Sequence, residues 1–483
     1  MKHSKKMMAQ AGLAAAVLFS LSGVFAGTAE AAGKTYDSVS RWGATEATEG
    51  DPITVNEVNG WGSSDQDPVR LTVGTKDTKN VTVHNYSAGE GSTTEVHGQN
   101  ISFGGKYMGK IDNKPMEIDG NFWVSKGQIT IGDEDTKTIS MTHLRGDDRA
   151  KITVNGGTDS LTVGELSVGT ATVRIGGANT GKVTVDSIGL WKGRNAATYA
   201  PYDVGADVVI DGTQGITVNK VISATSNSKL QLGTENNKGD VQIRNEDSWR
   251  NAVYADNGST IAIAAGGKIS AAGDVTAING NSAVTMQGAG IDIDGRVNAT
   301  GSHYSDEKAM QISLIAEDYN GKRGNVNVQE IDVDNQGSIT VKGDTVTIDD
   351  SDSKAKWKPD YSIRSTGGSS VSVDSNAIIM NKGVAFQGGG EMTLKGNKKI
   401  IIGTSTDQAA RSLNMTGGKL YVGGKEAETT LNGSVSILAE YGKNPLRRLT
   451  VIKSRLMRRL RRTNSKTEKI RISLWPFMPK MQN

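Results

Sequence analysis

Residues 253–269, VYADNGSTIAIAAGGKI, join an Asn-Gly turn to a short alternating run, a Gly-Gly turn and one more aliphatic residue. About a hundred residues later, SIRSTGGSSVSVDSNAII is built to the same plan. Between Leu71 and Leu438 the chain offers little else. Runs such as VTVHN, ITIGD, ITVNGG, LTVGELSVG, VTVDS, VVIDG, LQLG, VNVQEIDVDNQGSITVKGDTVTIDD and MTLKG alternate aliphatic with small polar residues, and each is broken by Gly, Asn or Asp. Period-two alternation is the strand signal, and the breakers supply positive φ or local side-chain hydrogen bonds. The body is therefore expected to be all-β.

The number and spacing of these runs select among all-β folds. A sandwich or barrel uses about seven to ten strands per domain, joined largely by hairpins. Here more than thirty runs follow one another, often 8 to 14 residues apart, with few hairpin pairs. A solenoid accommodates them by stacking each run on its equivalent one coil later, so that each coil buries only its contacts with its neighbours. An offset of 110 residues tests this. It sets NGSTIAI (257–263) over GGSSVSV (367–373), Val253 over Ile363, Ile269 over Ile379 and Gly273 over Gly383. With slips of one or two residues, Trp249 falls on Trp357 and VTMQG (284–288) on MTLKG (392–396).

Composition agrees. Gly numbers 60 against 8 Pro, and aromatic residues are 5% of the 483 positions, few for several large globular cores. Cys is absent, which excludes disulfides, thiolate metal sites and thiol catalysis. The N-terminus carries Lys2, Lys5 and Lys6, an apolar stretch from Gly12 to Ala26, and small residues with Ala29 and Ala31 bracketing the expected cleavage point. That is the layout of a Sec-type signal peptide over residues 1–31. The apolar run is shorter than the roughly 20 residues a membrane span needs. Residues 32–70 read as an irregular cap, and 71–443 as the solenoid.

Signal peptide, Cys-free Gly-rich body and recurring AVYADNGSTIAI and YSIRSTGGSSVSV units resemble the passenger regions of bacterial autotransporters (type V secretion) over roughly residues 32–443. The resemblance implies a right-handed parallel β-helix and an exported, adhesin-type rod that contacts a host-cell surface, glycan or extracellular matrix. It also implies a C-terminal translocator barrel, the chain's link to the outer membrane, which these 483 residues do not contain. The full-length form would then reach the cell surface, and a form without the barrel the periplasm.

Residues 444–483 depart from the rest. No Gly occurs after Gly442, and residues 446–483 carry twelve Lys or Arg and one acid, Glu468; the remainder has a net charge of −8. The acidic body argues against nucleic acid as a partner. Two readings of the tail stand side by side. Leu446 to Arg462 could form a basic amphipathic helix docking on anionic lipid. Alternatively the tail is read in a shifted frame, since codons for LRRLTVIKSRLMRRLRRT can be chosen whose neighbouring frame encodes an acidic, Ala-rich linker.

Chemistry is sparse. His3, His84, His97, His143 and His303 are scattered, with no HExxH and no GxSxG. The acid clusters GDEDTK (132–137), IDIDGR (291–296) and IDDSDSK (348–354) offer glycosidase-type carboxylate pairs or oxygen ligands, with Asp349, Asp350 and Asp352 as the Ca²⁺ candidate. In IDIDG, alternation buries Ile291 and Ile293 and leaves Asp292 and Asp294 on the solvated side. Arg145-Gly146-Asp147 is the tripeptide integrins read from a projecting turn. Trp42, Trp61, Trp123 and Trp191 either stack on sugars or pack against the solenoid. No cofactor is implied. The expected function is non-enzymatic adhesion; the alternative is a β-helical polysaccharide lyase or glycoside hydrolase.

Overall fold

The computed structural model describes residues 33–451, apart from 62–65, 112–113, 193–203, 247–250, 302–309, 350–360, 404–410, 425, 433 and 439–447. Among these residues thirty-eight strands form one continuous ladder, and all of its pairings are parallel. The chain is a parallel β-helix. Among the described residues, antiparallel pairing is confined to the hairpin Lys106–Ile111 with Lys114–Asp119 and a bridge between Glu317 and Arg323.

One coil shows how sequence makes shape. In the strand Ser160–Gly169, Leu161 and Val163 point inward, then Leu166 and Val168, with exposed or half-exposed residues between. The step from Val163 to Leu166 places two outward residues in succession, Gly164 and Glu165. That phase change is the corner between a first and a second face. Val173 and Ile175, in Thr172–Gly176, form the third face. The next coil repeats the set, with Val183 over Leu161, Ile188 over Leu166 and Val208 over Val173. Ile139, Leu161 and Val183 succeed one another at 22-residue intervals, the length of an undecorated coil here. Longer coils carry their extra residues at the corners.

Turns close the triangle through backbone chemistry. After the third face the chain turns on glycines such as Gly176, whose φ of 75° is a left-handed conformation. A Cβ there would also collide with the Asp211 carbonyl of the next coil. At the corner before the third face stand Ser228, Ser259 and Ser282, all 0% exposed. The Ser228 and Ser282 hydroxyls donate to the carbonyls of Thr225 and Asn279 at 2.7 Å. The Ser259 hydroxyl accepts the Ser228 N–H, and the Ser282 hydroxyl the Gly258 N–H, both at 3.1 Å. Each buried hydroxyl thus ties its own turn to the preceding one. The repeated Asn-Gly-Ser stretches are this corner.

The 110-residue offset lands in register. Following the pairings, Ile261 leads through Val284, Ile312 and Ile339 to Val371. Val253 leads in four steps to Ile363, and Val284 shares its column with Met392. Two expected matches shift. Ile269 lies in the column of Ile378, not Ile379, because the connection between these two columns is one residue shorter from Val371 to Ile378 than from Ile261 to Ile269. Gly273 precedes Val275 by two residues while Gly383 precedes Val384 by one, so they do not coincide. Trp249 and Trp357 lie outside the described residues.

The ladder also runs through the segment expected to cap the solenoid. Lys34–Ser40 pairs with Ile53–Asn59, which pairs with Asn80–Ala88, so coiling is established by Lys34. At the other end Arg448–Val451 is a strand paired with Lys419–Gly423, which removes these residues from the expected helix Leu446–Arg462. The signal segment 1–31, with Ala29 and Ala31, and the tail beyond 451 lie outside the described residues.

Ile261, 1% exposed, fills the third-face column between Leu230 and Val284. Ile261→Ala should lower the stability of its coil by about 2–5 kcal/mol. Ala262→Ser, at the neighbouring outward position, should stay within about 0.5 kcal/mol. Denaturant unfolding of the two variants checks the inward and outward assignment.

Candidate functional site

The interior is almost wholly apolar, aliphatic columns with a buried aromatic group at Tyr86, Phe103 and Phe122. Chemistry must therefore come from the outward positions, and coil stacking decides which of them meet. On the second face one outward column runs Asn59, Ser87, Trp123, Arg145, Ser167 and Gly189. Beside it, Ser125, Asp147, Gly169 and Trp191 form another. The tripeptide Arg145-Gly146-Asp147 therefore lies within the strand Thr138–Asp147 and not on a projecting turn. Gly146 is buried, and a Cβ on it would stand 2.9 Å from Ile152. Arg145 Nε donates to Asp147 Oδ2 at 2.7 Å, and Trp123 Nε1 donates to the same oxygen at 3.1 Å. An aspartate held in this way inside a sheet is not presented as integrins require. The tripeptide belongs instead to an aromatic surface.

That surface has three indoles. Trp61, 39% exposed, reaches across Gly89 to place its ring centroid 5.2 Å from that of Trp123, tilted by 49°. The Arg145 guanidinium stands 5.7 Å from the Trp123 ring centroid, within cation–π range. At the far end Trp191 covers Gly169. A Cβ at Gly169 would collide with Trp191 Nε1 and lie 2.8 Å from Asp147 Oδ1, so Asp147 stands between two indoles. Trp42 follows Ser40, the partner of Asn59, and so stands one level before Trp61; it is 80% exposed and carries the Arg41 guanidinium over its ring, so packing does not account for it.

A second constellation lies farther along the same face. Glu330 and Asp332 flank the inward Ile331 in the strand Val326–Asp334, with side chains 5% exposed. Arg296, one coil earlier, donates to Glu330 at 3.0 Å and to Asp332 at 3.3 Å. Arg364, one coil later, donates to both oxygens of Asp332 at 2.9 and 2.6 Å. Burial pushes the Glu330 carboxyl up to about 7, against the opposing pull of Arg296 and with a smaller push from Asp332. Arg296 also bonds through its backbone N–H to Asp274. Two carboxylates and two guanidiniums thus converge from three coils. These groups are not adjacent in the chain, so no local acid pair marks them. Their signal is coil spacing, which places Arg296, Glu330 and Arg364 on successive coils although they are 34 residues apart.

The adjacent clusters do less. Asp292 is paired with Lys268 and accepts Asn327 Nδ2 at 2.6 Å, and Asp294 bonds Gln329. Ile291 and Ile293 are buried as expected. In the 132–137 turn, Asp133 caps the Asp135 N–H at 3.1 Å and faces His97 Nδ1 at 3.3 Å. Asp349 accepts Asn381 Nδ2 at 2.7 Å, while Asp350 and Asp352 lie outside the described residues. Among the described residues no three His, Cys, Asp or Glu side chains group as metal ligands. His84 bonds the Gly104 carbonyl and stacks on Tyr107, which anchors the antiparallel hairpin; His303 lies outside the described residues.

A carboxyl whose value is higher folded than unfolded holds its proton more tightly in the folded state. Glu330 therefore contributes most below about pH 4.5 and loses that contribution as pH rises through about 7. Wild-type stability should fall by about 1–3 kcal/mol more between pH 5 and pH 8 than that of Glu330→Gln, read from denaturation midpoints at each pH.

No family model, curated protein or solved structure matches the chain significantly.

Proposed function

We propose that this chain is the passenger of an exported adhesin: a non-enzymatic rod that attaches to a host-cell surface or to extracellular matrix. The observation that carries the reading is the unbroken parallel ladder. Its backbone register runs from Val39 to Val435 through sixteen levels. At about 4.8 Å per level this is a stiff body on the order of 70 Å long. Such a rod offers long outer faces on which modest contacts add through avidity. Export through the Sec route, with cleavage after Ala31, and presentation at the cell surface through a translocator barrel belong to the same proposal.

The Arg296–Glu330–Asp332–Arg364 cluster favours a second reading, a β-helical enzyme acting on polysaccharide. Convergent carboxylates and a carboxyl raised toward 7 are what general acid–base chemistry uses. The cluster is internally paired, however, and its carboxylates are buried, which favours a structural role.

Beads coated with the purified protein should attach saturably to epithelial cells or matrix, and the protein should release no reducing or unsaturated ends from neutral or acidic polysaccharides. Turnover abolished by Glu330→Gln or Asp332→Asn, without attachment, would replace the adhesin reading by the enzymatic one.

A further inference from the structure

We infer that the outer surface running from Trp61 through Trp123, Arg145 and Asp147 to Trp191 is a binding track for an uncharged linear oligosaccharide lying along the solenoid axis. The inference rests on the adhesin reading only for its biological setting; the chemistry of the track stands by itself.

Three observations select this ligand. The first is the layout. Trp61 and Trp191 sit at equivalent corner positions five coils apart, on the order of 24 Å. Between them the two outward columns carry Trp123, Arg145 and Asp147, and their other members, Ser87, Ser125, Ser167 and Gly189, are small. A Cβ at Gly189 would meet nothing closer than 4.0 Å, so the floor there is open. Flat indoles at both ends of a shallow floor suit an extended chain with alternating apolar and hydroxylated faces. They suit neither a compact ligand nor a helix that needs a deep groove.

The second observation is preorganisation. Asp147 is fixed by Arg145 at 2.7 Å and by Trp123 Nε1 at 3.1 Å. Its side chain is 17% exposed, while that of Arg145 is 54% exposed. Arg145 spends Nε on Asp147 and keeps its remaining guanidinium N–H groups for acceptors such as sugar hydroxyl or ring oxygens. Next in sequence, Asp148 holds Oδ1 buried without a hydrogen-bond partner. Its backbone is in the left-handed region, with φ of 54°. Indole faces that stack on C–H surfaces, beside a few fixed polar groups, are the usual makings of a small-molecule site.

The third is charge. Arg145 is matched by Asp147, and Lys126 by Glu90 at 3.1 Å, with Asp148 a further 3.9 Å contact of Lys126. Among the described residues the cations in the middle of the track, Arg145 and Lys126, are each matched by a carboxylate, so uronate or sulfated chains are disfavoured against neutral ones.

The test titrates the purified full chain with the hexasaccharides of β-1,4-linked glucose, N-acetylglucosamine and mannose, and with polygalacturonate as the anionic control. Tryptophan fluorescence and calorimetry are the readouts. At least one neutral hexasaccharide should bind with saturation and quench the indoles. Trp123→Ala and Trp61→Ala should each weaken it about tenfold, while Trp61→Phe should retain most of the affinity. Tyr319→Ala, at an exposed aromatic that bonds the Thr234 carbonyl several coils away, should change nothing. Circular dichroism melts keep folding defects apart from binding defects. Binding of none of the neutral probes, equal or tighter binding of polygalacturonate, or neutral binding indifferent to both Trp61→Ala and Trp123→Ala would overturn the inference. Cell attachment that persists in those variants while sugar binding is lost would show that the rod adheres by another surface, so the two proposals fail separately.

Discussion

Every feature of this molecule depends on one constraint: each coil must lie in register on the one before. The backbone groups of a parallel strand find partners only on neighbouring coils, and burying them unpaired is costly. The same register brings aliphatic side chains into columns, such as Leu161 under Val183 or Ile261 under Val284. A slip by one residue would exchange every inward side chain for its outward neighbour. Hydrogen bonding and hydrophobic burial therefore enforce the same alignment. Serine and glycine corners refine it, since Ser259 serves the Ser228 turn as well as its own.

The same constraint explains how chemistry arises on a chain that looks inert when read linearly. Outward positions are brought together not by neighbouring in sequence but by recurring at coil spacing. Trp123, Arg145 and Ser167 become one line, and Arg296, Glu330 and Arg364 become one cluster, although neither group is a motif. Coil lengths vary because insertions are taken up at corners, so the spacing is irregular. An outward residue also costs the fold little to change. The surface can vary while the columns stay aliphatic.

This accounts for what was legible in the sequence and what was not. The all-β solenoid was readable because alternation and turn residues are local signals. The offset of 110 found true column mates, Val253 with Ile363 and Ile261 with Val371, because the coils between them sum to that length. It failed by one residue at Ile379 because the corner between Val371 and Ile378 is one residue shorter than that between Ile261 and Ile269. The start of coiling at Lys34 was missed because two short runs separated by polar residues look irregular until their pairing is seen. The corner inside LTVGELSVG was missed as well, although its sign is present: two polar residues in succession within an alternating run. The tripeptide at 145–147 was readable as letters but not as a strand. Its aspartate proved to be a ligand of Trp123, which no local pattern announces.

The register itself admits a direct test, because the chain has no native Cys. Thr162 and Thr184 are outward partners on adjacent coils, at a separation of about 4.8 Å that a disulfide can bridge. Asp186 stands two residues beyond Thr184 on the same strand. The Thr162→Cys, Thr184→Cys double variant should oxidise rapidly and quantitatively within one chain, and the Thr162→Cys, Asp186→Cys variant should not. Preferential closure of the Thr162–Asp186 pair, or of neither, would contradict the in-register parallel coil on which the account stands.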